Sequence, residues 1–141
     1  MKNFSLIATI LLLFSSCDNS SDKFKILDYM EFKNQIVNNM ISMFKKNDKL
    51  LLVVPVEGTR ARTDFWKSGF YHIAKGANVP ILPTFLDYSN KRGGFGLPIE
   101  TSDDLLLDME KIREFYAPFS GKFPKNSGPI KLKEETSSNK I

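Results

Sequence analysis

Histidine and cysteine are nearly missing from this chain: its 141 residues contain one of each, His72 and Cys17. A single cysteine excludes an internal disulfide, and one cysteine with one histidine excludes a Cys/His metal cluster. Any histidine chemistry falls to His72. Tryptophan is scarce too, one residue against twelve Phe; so heavy a Phe load serves either a core or a lipid-facing surface. No strand interleaves Arg with aromatics, and nothing else in the sequence points to nucleic acid. Charge of either sign is modest: 20 Lys and Arg against 16 Asp and Glu leave +4, with a pI near 9.1. That bias suits anionic lipid or phosphate-bearing ligands. What remains, 42% hydrophobic and 26% charged residues, is the composition of one globular domain.

Residues 1–17 read MKNFSLIATILLLFSSC. Lys2 gives a positive start, Phe4 to Phe14 form an apolar segment, and two serines precede the cysteine. The segment is too short for a transmembrane helix and has the shape of a secretory signal. It resembles a bacterial lipoprotein signal, with Phe14 where Leu is usual. The resemblance implies a membrane-associated protein, lipid-anchored through Cys17. Loss of residues 1–16 would remove Lys2 and no acid, leaving 19 − 16 = +3. Residues 18–28, beginning DNSSDK, read as a linker.

Apolar positions Tyr29, Phe32, Ile36, Val37, Met40, Met43 and Phe44 recur at three- and four-residue spacing, which predicts an amphipathic helix from near Tyr29 to Lys46. Leu50–Val54 is a continuous apolar run, the mark of a strand covered on both faces. A second helix is predicted over Phe65–Ala77, punctuated by Gly76 and Asn78, and a second buried strand over Val79–Leu86. Residues 90–96, NKRGGFG, read as a turn. Residues 101–118 read as a third helix, capped by Thr101 or Ser102 and followed by Pro118. Residues 133–141 read as a frayed tail. Helices alternating with buried strands predict an α/β fold with a mainly parallel sheet flanked by helices.

The chemistry concentrates at Glu57-Gly58-Thr59-Arg60, where the first apolar strand ends; α/β sheets bind ligands just outside such ends. Gly58 permits a tight turn with positive φ. Arg60 offers a planar fork for a phosphate, with Arg62 and Lys67 near enough to enlarge a cationic pocket. Glu57 could orient Arg60 or accept from a hydroxyl.

PVEGTR, followed by FWKSGFYHIA and then NVPILPTF, resembles conserved blocks of the glycerophospholipid acyltransferase family, which includes the lysophosphatidic acid acyltransferases. The likeness spans roughly residues 36 to 132, within a partial acyltransferase-like domain taken as 29–132, and Val56 stands where the family most often has Pro. It implies an incomplete glycerolipid-acyltransferase-like domain. The activity implied is acyl transfer from acyl-CoA or acyl carrier protein, as co-substrate, to a phosphate-bearing lysolipid or glycerol phosphate at a membrane surface. Glu57, Gly58, Thr59, Arg60 and Lys67 would bind the acceptor, and Val79–Pro83 would support the site. The family's base is the histidine of an upstream His-x4-Asp motif. That motif is absent: His72 lies downstream, and Ala77 stands five residues after it. KILDY (25–29) has Tyr29 where a second phosphate-binding Arg would stand. His72 reads as a packed or hydrogen-bonded helix histidine. The sequence therefore predicts the acceptor-binding half of a truncated enzyme, inactive alone, with an unpaired sheet edge that favours self-association; the alternative reading is a catalytically dead phosphate- or lipid-binding module, lipid-anchored through Cys17.

Overall fold

The structure, a computed structural model, describes residues 9–13, 36–59 and 61–136, the first of these by backbone alone. Cys17, the linker 18–28, the predicted helix start at Tyr29, Arg60 and the tail beyond 136 lie outside those residues. In chain order the elements are β1 (Thr9–Leu13), α1 (Ile36–Lys46), β2 (Leu51–Pro55), α2 (Gly69–Ala77), β3 (Ile81–Asp87), β4 (Arg92–Phe95) and α3 (Leu105–Tyr116). Short 3₁₀ turns at Pro124–Asn126 and Glu134–Thr136 follow.

The fold is α/β, as the alternation of helix and strand predicts. The mainly parallel sheet is not seen. The strand order is β2-β1-β3-β4, and all three ladders are antiparallel. Two features account for this. β1, from the leader-like segment, lies between β2 and β3. The stretch read as a turn at 90–96 contains β4, hairpinned onto β3 through Lys91 at φ 52°. Buried Asp87, at the end of β3, accepts from Asn90 at 2.7 Å and Arg92 at 3.2 Å, which closes the hairpin.

Burial alternates along β2: Leu52 and Val54 are buried, whereas Leu51 and Val53 are only half-buried. A strand that alternates in this way has one well-covered face, not two. On that face Leu52, Val54 and Ile81 join Phe44 of α1, Phe70 and Ile73 of α2, and Met109 and Ile112 of α3 in one core. At about 1.5–3 kcal/mol for each fully buried large side chain, this cluster is the main source of stability.

Helix boundaries differ from the periodicity reading for local reasons. Trp66 forms a parallel bridge with Leu132, and its amide donates to the Lys131 carbonyl at 2.9 Å. Phe65–Lys67 is therefore held extended, and α2 starts only at Gly69. Asn78, left-handed at φ 54°, caps its C-terminus. α3 begins at Leu105, not 101, because Asp104 is the N-cap and accepts from the Leu106 and Leu107 amides. Ser102 instead bonds the buried Asp108 carboxylate. Part of the predicted frayed tail is docked: Glu135 accepts from the Leu132 amide and from Arg113.

Candidate functional site

β2 ends at Pro55, whose carbonyl accepts from the Gly58 amide at 3.1 Å, closing a tight turn. Gly58 sits at φ 65°, a region that other L-residues adopt at a cost. The Val56 carbonyl accepts from the Lys67 amide at 2.7 Å. That bond folds the 59–66 excursion back, bringing Lys67 beside the Glu57-Gly58 turn. A β-carbon on Gly58 would lie 3.3 Å from Lys67 Cγ. The structure therefore brings together Glu57, Gly58 and Lys67 of the predicted acceptor residues. Thr59 is exposed, and its hydroxyl accepts from the Ala61 amide at 3.1 Å, so it shapes the turn.

Glu57 is 9% exposed, and its carboxylate makes no hydrogen bond or ion pair among the described residues. Burial pushes its pKa from 4.5 up to about 6. It lines a cavity of about 280 Å³ with Trp66, Tyr116, Phe119, Ser127 and Ile130. The indole of Trp66, 3% exposed, leaves Nε1 without a partner, alone in this respect among buried side-chain polar atoms of the described residues. Tyr116 stacks edge-on against Trp66 at 5.7 Å and donates to the Thr84 carbonyl of β3 at 2.8 Å. Across the rim Arg62 donates to the Ser127 carbonyl. Gly128 closes the same rim: a β-carbon there would fall 1.8 Å from the Thr63 carbonyl oxygen, so only glycine fits. Phosphate-scale ligands need donors and a concave, mainly apolar wall. The cavity supplies the wall, with Glu57 its one charged lining residue, while Lys67 lies beside the Gly58 turn and outside that lining.

His72 is not packed as predicted. Phe70, Tyr71, Ile73 and Ala74 occupy the buried side of α2, which leaves His72 exposed, with Tyr71 edge-on to its ring at 6.0 Å. It does not line the cavity. Val79 and Ile81 are buried core residues, and Pro83 lies in β3. The sequence reading missed Trp66, Tyr116 and the 127–130 rim, which meet Glu57 only through contacts distant along the chain. Among the described residues no helix is long and apolar enough to cross a membrane. No protein-family model matches the chain, nor does any curated protein or solved structure.

Proposed function

We propose that this chain binds a phosphate-bearing lysolipid or glycerol phosphate at the end of β2, as a glycerolipid-acyltransferase-like acceptor site that lacks a catalytic base. The observation that carries the reading is the turn that sets Lys67 beside positive-φ Gly58, next to Glu57, which lines the cavity. In this reading the Lys67 ammonium and the guanidinium of Arg60 take the phosphate, and Arg62 adds positive charge at the rim. Glu57, drier than an ordinary surface acid, accepts from a hydroxyl of the glycerol. The acyl-thioester co-substrate and the membrane surface rest on the resemblance and the leader-like segment alone.

The exposed position of His72, away from the cavity, favours binding over turnover. Without a positioned base, acyl transfer loses about 10²–10⁴-fold. The full chain incubated with acyl-CoA and lysophosphatidate is expected to give no transfer above background, while calorimetry detects glycerol 3-phosphate binding. Arg60→Ala is expected to weaken that binding about tenfold or more, the scale of one charge-assisted hydrogen bond. Turnover abolished by His72→Ala would replace this reading with a catalytic one. Absence of binding would end it.

A further inference from the structure

β1 is flanked on both sides. Thr9–Leu13 registers with all of β2, Thr9 opposite Pro55 and Leu13 opposite Leu51. On its other side Thr9–Leu12 registers with β3, Thr9 opposite Thr84 and Leu12 opposite Ile81. β2 and β3 do not touch as a ladder. With neighbouring strands about 4.8 Å apart, they stand about 9.6 Å from each other. That gap fits one strand and is too wide for a hydrogen bond. Leu12 sits in register between Leu52 and Ile81, at 1% and 0% exposure, so the slot lies directly against the core.

The same five residues lie inside the apolar centre of the leader-like segment. Cleavage between Ser16 and Cys17 would carry off the whole of β1. It would leave five register positions on β2 and four on β3 unpaired, facing each other across an empty slot. Unpaired edges of that kind recruit another strand. The consequence reaches the site, because Thr9 is opposite Pro55, and the Pro55 carbonyl anchors the Gly58 turn.

We propose that the space between β2 and β3 is a docking slot for one apolar antiparallel strand, that its occupant is the chain's own Thr9–Leu13, and that removal of this segment and assembly of the Glu57 turn exclude each other in one molecule. The strand is a folding element as well as part of a candidate address. In a chain that keeps it, the sheet is continuous from β2 to β4. In a chain that loses it, the turn at Gly58 loses its supporting edge. The inference stands on the sheet order and does not depend on what the site binds.

The test uses the full chain with Cys17→Ser, so that introduced cysteines are the only ones. Adjacent registers in an antiparallel pair alternate between hydrogen-bonded and non-bonded types, and the second brings side chains closer. Two neighbouring pairs are therefore made on each side: Ile10→Cys with Val54→Cys or Leu11→Cys with Val53→Cys, and Ile10→Cys with Pro83→Cys or Leu11→Cys with Leu82→Cys. Thr9→Cys with Leu51→Cys is the out-of-register control. On each side one pair is expected to close as an intramolecular disulfide at least about tenfold faster than the control, because only in-register positions meet disulfide geometry. Equal rates in all variants overturn the proposal. So does an intermolecular product from the in-register pairs, which would make a second copy the occupant. Amide exchange on the unaltered chain decides the matter even if a cysteine variant misfolds. Protection of residues 9–13 about a hundredfold over random coil, matching β2 and β3, is expected of a central strand. Exchange of 9–13 at random-coil rates overturns it.

Discussion

The side chain of Lys67 lies across Gly58, its Cγ 3.3 Å and its Cε 3.5 Å from where a β-carbon would stand on the glycine. Two residues nine positions apart are joined because the Val56 carbonyl takes the Lys67 amide and Gly58 turns through positive φ. The Lys67 stem thereby lies beside the turn, and its ammonium has no carboxylate partner among the described ion pairs.

Gly58→Ala meets both parts of this arrangement. The left-handed backbone costs a non-glycine residue about 1–2 kcal/mol, and the new methyl displaces a flexible lysine stem at little further expense. Denaturant unfolding is expected to show a loss on that scale, with weaker phosphate binding from the displaced ammonium. Unchanged stability would contradict the turn geometry.

Glu57 makes stability depend on pH. Its pKa is raised on folding from 4.5 to about 6 by burial, so the folded state disfavours the ionised form. The associated stability is fully present below pH 4.5 and is lost as pH rises through about 6. Glu57→Gln removes the ionisation. The variant is expected to be more stable than the parent at pH 7.5 by about 1–2 kcal/mol, from 1.36 kcal/mol per pKa unit, and to lose that advantage near pH 4.5. Thermal melts of both proteins across that range check it. A parallel pH dependence would place the titrating group elsewhere.

Asp108 acts in the opposite sense. Burial would raise its pKa, but hydrogen bonds from Lys111, Ser102 and Tyr71 overcome that and hold it below the usual 3.8. The donors are Lys111 Nζ at 3.0 Å, the Ser102 amide at 2.6 Å and hydroxyl at 3.0 Å, and the Tyr71 hydroxyl at 3.1 Å. A carboxyl depressed on folding adds stability above its unfolded pKa, and that stability is lost as pH falls below 3.8. Asp108→Asn is expected to cost about 2–3 kcal/mol at pH 7, the worth of hydrogen bonds to a buried charge. Equal stability of variant and parent at pH 7 would show that the network contributes nothing.

The parts legible in the sequence are those fixed by nearby residues. The strand at 51–55, the glycine turn after it and the core helix around Met109 and Ile112 follow from apolar spacing and turn chemistry. β4 was hidden because Gly93 and Gly94 lower strand propensity, and the hairpin partner, not the sequence, fixes its conformation. β1 was hidden for a different reason: an apolar run such as Thr9–Leu13 suits an export signal and a central strand equally, and periodicity does not separate them. The cavity was illegible in principle. Glu57, Trp66, Tyr116 and Ile130 converge only once the Trp66–Leu132 bridge and α3 have formed. The α2 start shows the same limit, since a bridge to residue 132 overrides helical spacing at Phe65–Lys67.

Backbone amide shifts of the full, isotope-labelled chain during titration with glycerol 3-phosphate test the central claim most directly, with glycerol and inorganic phosphate as separate arms. The account predicts saturable shifts concentrated at Glu57–Ala61 and Lys67 with glycerol 3-phosphate, weaker ones at the same amides with phosphate, and none with glycerol. Shifts spread over surface lysines, or none at the Gly58 turn, would contradict it.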